Sequence, residues 1–295
     1  MKGGTTPQLG FTIVETLIVL AVTAVILFSV ILLVSGKVSK TEFTQGINDF
    51  QSVLQSRINE VINGYFPSNS DFNCTATAGG PDITPTLPGA NGQGTNSGCV
   101  FIGKAIQFAV GASPSQYNVY TIAALRESSP GNIAIDFAGA KPVLVAAGQN
   151  AQHSNFPDTD YESQNLENGI TILPPNGLAT PNGVYYDNDP ANKQAGTIAF
   201  ISSLDPSAGG SVATGAQQVS LYAIHTNPDT FNLAKDQAVD KIDANLSAPI
   251  SVGSVQFCLV SGGTNESALM SIGPATGNGN QLGVTKKVFS STDCT

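Results

Sequence analysis

Few residues in this chain have the types and spacing for chemistry, and the least ordinary placement belongs to Glu15. It is the single charge in residues 11–34, a run of 24 residues without Lys, Arg, Asp, Asn, Gln, Gly or Pro. A carboxylate inside such a run is expensive in lipid and marks a place where a partner meets it. Other carboxylates gather in two loops, Asp158-Thr159-Asp160-Tyr161-Glu162 and Asp187-Asn188-Asp189-Pro190. Calcium takes oxygen ligands of this kind, which makes Asp158, Asp160, Glu162, Asp187 and Asp189 its candidate ligands. Neither loop follows the EF-hand spacing with its closing Glu, and turn chemistry accounts for Asp, Asn and Pro here without an ion. The histidines, His153 and His225, have no partner pattern. No nucleophile elbow and no phosphate-cradling Gly-Lys loop occurs, and Gly277-Asn278-Gly279 reads as a hairpin turn. No enzymatic activity and no cofactor is expected.

The four cysteines, Cys74, Cys99, Cys258 and Cys294, all lie downstream of the apolar run. An even count in an exported domain favours disulfides. Sequence order suggests Cys74–Cys99 and Cys258–Cys294, because each pair closes a local loop. There is no Cys-x-x-Cys and no Cys/His spacing for zinc.

The elements that position these residues begin with the apolar run. As an unbroken helix it rises roughly 36 Å, enough to cross the hydrocarbon core with some tilt. Before it stand ten mostly polar residues ending in Gly10, with Lys2 as the cation. A secretory signal would carry a shorter apolar core followed by a small-residue cleavage site, and neither is present. The leader ending in Gly10, followed by Phe11-Thr12-Ile13-Val14-Glu15-Thr16-Leu17, resembles the processing site of type IV prepilins and type II secretion pseudopilins. The resemblance covers roughly residues 4–66. It implies cleavage after Gly10 by a prepilin peptidase, N-methylation of Phe11, and pairing of Glu15 with the Phe11 amine of a neighbouring subunit. It also implies a single-pass stay in the cytoplasmic membrane, then assembly by inner-membrane machinery into an extracellular filament.

Past the run, apolar residues recur at Phe43, Ile47, Phe50, Leu54, Ile58, Val61 and Tyr65, the spacing of one helix face. Asn48, Asp49, Gln51, Gln55, Arg57, Asn59 and Glu60 take the other faces, and Gly64 and Pro67 are stop signals. The pattern predicts one helix over 11–63, apolar all round in its first half and amphipathic in its second. Lys37 and Lys40 follow the apolar end. By the positive-inside rule they would draw that end to the cytoplasm, against the orientation the resemblance implies.

Residues 75–98, rich in Gly, Pro, Asn and Thr, are expected to form an irregular surface loop. Strands are predicted at 100–110, 118–125, 133–137, 142–147, 170–173, 184–186, 197–202, 219–225, 251–260, 268–272 and 284–289. A short helix is predicted within 229–246. Lys286-Lys287 reads as a solvated strand edge. One long helix followed by many strands makes an α+β fold, with the helix packed on an antiparallel sheet. The expected divisions are a leader (1–10), an N-terminal transmembrane and assembly helix (11–66) and a β-rich head (67–295). A β subdomain is placed around 140–215.

The chain carries a net charge of −9 with charged residues at 11%. That leaves no electrostatic footprint for nucleic acid. The expectation is a structural subunit of a type IV pilus, in a minor or tip position. The alternatives are a pseudopilin of a type II secretion system and a membrane-anchored adhesin. Its partners would be other pilin subunits, the prepilin peptidase, the assembly machinery and, before assembly, membrane lipid.

Overall fold

The computed structural model describes residues 12–64, 72–77, 80–85, 99–108, 115–125, 127–129, 132–134, 137–145, 161–173, 184–187, 195–202, 219–225, 235–246, 248–274, 281–290 and 294. The chain divides into two units, Met1–Glu42 and Phe43–Thr295.

One helix, α1 (Ile13–Ile62), runs through the division without interruption. It starts two residues later than the sequence pattern predicts, because Thr12 acts as its cap. It stops where the Gly64 N–H bonds to the Val61 carbonyl at 3.1 Å, with Gly64 at φ +61°. Glycine takes that left-handed conformation without a Cβ penalty, and helices commonly end on it. Within the first unit, the large apolar side chains from Ile13 to Ile31 are exposed, from 52% for Val22 to 79% for Ile13. This segment is long and apolar enough to cross a membrane.

In the second unit the same helix is amphipathic. Phe43, Ile47, Phe50, Leu54, Ile58 and Val61 are all buried, as their spacing predicts. Tyr65 lies outside the described residues. The stripe packs against strands numbered in chain order. These are β1 (Phe72–Thr77), β2 (Gly80–Pro85), β3 (Cys99–Phe108), β4 (Gln116–Leu125), β5 (Glu127–Ser129), β6 (Asn132–Ile133), β7 (Val143–Val145) and β8 (Tyr161–Asn165). There follow β9 (Ile170–Leu173), β10 (Val184–Tyr186), β11 (Thr197–Ser202), β12 (Val219–Ile224), β13 (Ile250–Ser251), β14 (Val255–Ser261), β15 (Ser267–Pro274) and β16 (Leu282–Phe289). Two short helices, α2 (Phe137–Ala140) and α3 (Lys235–Leu246), interrupt the series.

A 7-stranded sheet has the order β13-β12-β11-β3-β4-β7, with β8 also paired to β4. A 5-stranded sheet has the order β10-β14-β15-β16, with β9 also paired to β14. Both are antiparallel throughout. The expected α+β class therefore holds.

Several expectations change in detail. The segment predicted as an irregular loop, 75–98, takes in the end of β1 and all of β2, which pair from Phe72↔Pro85 to Thr77↔Gly80. Of the strand predicted at 133–137, Ile133 ends β6 and Phe137 begins α2, while 135–136 lie outside the described residues. The strand predicted at 251–260 divides into β13 and β14, which join different sheets. Of residues 140–215, β7, β8 and β11 enter the larger sheet while β9 and β10 enter the smaller one.

The larger sheet is buried on both faces. Side chains alternate along a strand, so Val119, Ile198 and Phe200 meet the α1 stripe while Tyr120, Ile122, Ala199 and Ile201 point away. The second set shares a separate apolar cluster with Ala140 of α2 and with Ile242 and Leu246 of α3. The sequence places α1 on the sheet but says nothing of which face the short helices take. Close approach requires Gly103, at the register shift of β3, where an added Cβ would lie 2.1 Å from the Phe200 carbonyl oxygen.

The Cys258–Cys294 disulfide is formed, tying β14 to the C-terminal segment. The side chains of Cys74 and Cys99 lie outside the description. Closing a loop with a sequence separation of 36 restricts the unfolded chain. Replacing both Cys258 and Cys294 with Ala is expected to cost about 2–4 kcal/mol, measured by denaturant unfolding. Leu54, fully buried in the stripe, gives a second test. Leu54→Ala should destabilise the detergent-solubilised chain by about 2–5 kcal/mol.

Candidate assembly site

The site around Glu15 is built by the first turn of α1. Thr12 occupies the N-cap and Glu15 lies three residues on. The Glu15 N–H donates to Thr12 Oγ1 at 3.3 Å, while the Thr12 N–H donates to Glu15 Oε2 at 3.0 Å. The Thr12 hydroxyl also donates to Oε2, at 2.9 Å. This is a reciprocal capping box, which satisfies amide groups that the first turn of any helix leaves open. Its signature in the sequence is the Thr-x-x-Glu spacing of Thr12 and Glu15. Gly10 and Phe11, the expected processing residues, lie outside the described residues.

Three hydroxyls beyond this turn are satisfied within the helix. Thr16 donates to the Ile13 carbonyl at 2.8 Å, Thr23 to the Val19 carbonyl at 2.9 Å, and Ser29 to the Val25 carbonyl at 2.8 Å. A hydroxyl bonded back to its own helix can enter lipid without an orphaned donor. The helix surface beside the carboxylate is a groove lined by Glu15, Thr16, Val19, Leu20 and Thr23. Glu15 is thus the charged group of a face otherwise made of apolar atoms and internally bonded hydroxyls.

The calcium candidates have other occupations where they are described. Glu162 Oε2 takes Arg57 Nη2 and accepts from Gln164 Nε2, the latter at 2.8 Å. Asp187 has φ +52° and accepts the Gly253 N–H at 2.8 Å through Oδ1, so its carboxylate closes a turn against the loop before β14. Asp158, Asp160 and Asp189 lie outside the described residues, as does His153. No grouping of His, Cys, Asp and Glu suited to a metal occurs among the described residues. His225 lies 2.9 Å from the Tyr186 hydroxyl through Nε2.

Sequence reasoning missed a polar cluster where α1 meets the larger sheet. Arg57 and Glu60, read there as outward-facing, are partly buried. Arg57 Nη1 is 2.8 Å from Glu60 Oε1, and its other terminal nitrogen reaches Glu162 of β8. Glu60 Oε2 is buried with Lys104 Nζ 4.0 Å away, and Lys104 donates to Thr121 Oγ1 at 2.8 Å. Tyr117 donates to Gln164. Helical spacing shows which residues share a face, but not that a lysine in the middle of β3 would be under 3% exposed. Its burial depends on strand pairing distant in sequence.

Burial pushes the Tyr117 phenol up to about 12; the Arg57 guanidinium opposes the rise, and Glu162 and Glu167 add to it. Burial also raises Tyr185 and Tyr222. A phenol whose folded pKa exceeds its unfolded value contributes stability that is whole below the unfolded value and lost as pH climbs through the folded one. The second unit should therefore weaken between about pH 10 and 12. Tyr117→Phe should make that alkaline fall shallower in circular dichroism; an unchanged slope would assign it to other groups.

Comparison with protein-family profiles, with curated proteins and with solved structures gives no match.

Proposed function

We propose that this chain is a structural subunit of a type IV pilus, cleaved after Gly10 by a prepilin peptidase and assembled through α1 in a minor or tip position. One observation carries the reading. A single unbroken helix joins an exposed apolar segment, with one carboxylate in its first turn, to an amphipathic segment whose apolar stripe is fully used inside a β-rich unit. The second segment has its burial partner. The large apolar side chains described in the first, from Ile13 to Ile31, are exposed, and lipid or other copies of the chain would cover them.

The Cys258–Cys294 disulfide supports an exported second unit, since such bonds persist in oxidising compartments. It weighs against the cytoplasmic placement that Lys37 and Lys40 would favour. The size of the β-rich unit supports a minor or tip subunit over a minimal building block. On this reading the partners are other pilin subunits, the peptidase, the inner-membrane machinery and, before assembly, lipid. The chain stays in the cytoplasmic membrane until it enters the extracellular filament.

The working chemistry is one carboxylate meeting one amine. Each charge lowers the other's cost of burial, and a pair at one fixed height sets the axial register between neighbours. Mass spectrometry of sheared surface filaments should find the chain beginning at a methylated Phe11; a different mature N-terminus refutes the reading. Glu15→Ala should be processed normally yet be lost from filaments, and normal incorporation would count against an assembly role.

A further inference from the structure

Arg57, Glu60, Lys104 and Glu162 meet where α1 docks on the larger sheet, and Glu60 and Lys104 are poorly served there as an ion pair. Lys104 lies in the middle of β3 and is 2% exposed. Its Nζ donates to Thr121 Oγ1 at 2.8 Å and stands 4.0 Å from Glu60 Oε2, beyond hydrogen-bond reach. Glu60 Oε2 is buried without a hydrogen-bond partner, while Oε1 takes Arg57 Nη1 at 2.8 Å. A buried carboxylate oxygen with no donor carries a desolvation cost, which a contact of 4.0 Å offsets only in part.

We infer that Glu60 and Lys104 join as an intramolecular isopeptide bond, an amide between Cδ and Nζ that fastens the last turn of α1 to the middle of β3. In the reaction the Lys104 ammonium first gives one proton to Glu60 Oε2. The neutral Nζ then attacks Cδ, and the carbonyl electrons move onto Oε1, where the Arg57 guanidinium already donates and stabilises the developing charge. As the carbonyl re-forms, the Cδ–Oε2 bond breaks, and Oε2 leaves as water with a second proton from Nζ. No oxidant, reductant or further reactant is consumed. Holding amine and carboxyl in one site supplies an effective concentration that free groups in water lack, and Thr121 keeps Nζ in place for it. The amide removes one positive and one negative charge together. Arg57 remains paired with Glu162, so the cluster stays balanced. A pull along α1 would then load a covalent bond as well as the packed stripe.

The test is a tryptic digest of the full-length chain, extracted from membranes in detergent, then denatured, reduced and alkylated. No Lys or Arg lies between Arg57 and Lys104, and the next cleavage site is Arg126. An amide on Nζ blocks cleavage after Lys104. The parent chain should therefore give peptide 58–126, lighter by one water than its sequence, and fragmentation should place the link between Glu60 and Lys104. A second cut with chymotrypsin, which cleaves after the aromatic residues between them, should leave two pieces still joined. Glu60→Ala should restore cleavage and yield 58–104 at full mass. Lys104→Met should yield 58–126 at full mass.

A parent chain cut at Lys104, with 58–104 at full mass, would overturn the inference and leave the pair ionic. So would a water loss that fragmentation assigns to other side chains, or one that persists in Glu60→Ala. The parent digest decides the matter even where a variant fails to fold. Filament incorporation plays no part in this readout, so the bond goes beyond the assembly reading and is tested apart from it.

Discussion

The burial of one helical stripe is the constraint on which the second unit depends. Phe50 shows how it works. Its ring lies 5.2 Å from Tyr117 of the larger sheet and 5.8 Å from Phe257 of the smaller one, centroid to centroid. Phe108 and Phe257 meet at 5.3 Å, so the sheets also touch each other beneath the helix. Neither sheet encloses a core alone. The α1 stripe fills the angle between them, and each buried aliphatic or aromatic side chain there contributes on the order of 1.5–3 kcal/mol. Gly46 allows the approach, since a Cβ at that position would lie 2.6 Å from Ile170 Cδ1.

Polar groups then restrict how that stripe can sit. Apolar packing tolerates small slips, whereas charged and hydrogen-bonded groups do not. Arg57 bridges Glu60 on its own helix and Glu162 on β8, while Gln51 Nε2 donates to the Val284 carbonyl of β16 at 2.8 Å. These contacts tie α1 to an edge of each sheet. A shift of α1 by one turn would break the Arg57–Glu162 pair and carry Glu60 away from Lys104, leaving part-buried charges without their partners across the helix–sheet boundary. The cluster is better understood as a device for register than as a source of net stability.

The first segment of α1 follows a different logic. Its large apolar side chains from Ile13 to Ile31 are exposed, and the hydroxyls of Thr16, Thr23 and Ser29 are closed upon the helix itself. Glu15 receives both of its bonds from Thr12 on one oxygen, Oε2. The segment is long and apolar enough to cross a membrane, and in the assembly proposed here the carboxylate would meet an amine of a neighbouring copy. That division of roles within one continuous element links the fold to the proposed assembly.

Local periodicity made α1 readable from its amino acids. Residues from Phe43 to Val61 recur at helical spacing, and all are buried. Strands at 170–173, 184–186 and 197–202 were readable too, because short apolar runs between turn formers have few alternatives. The Thr12–Glu15 cap is equally local and could have been read from its spacing. The rest depends on pairings far apart in the chain. Residues around Gly253 look like a single strand with β14, yet Ser251 pairs with Tyr222 in one sheet and Val255 with Tyr186 and Ile272 in the other. Lys104 carries the signature of a solvated strand residue and is buried because Thr121 stands opposite it and Glu60 above. Spacing along the chain specifies which side chains share a face; what covers that face is set by long-range packing, whose energy no local pattern contains.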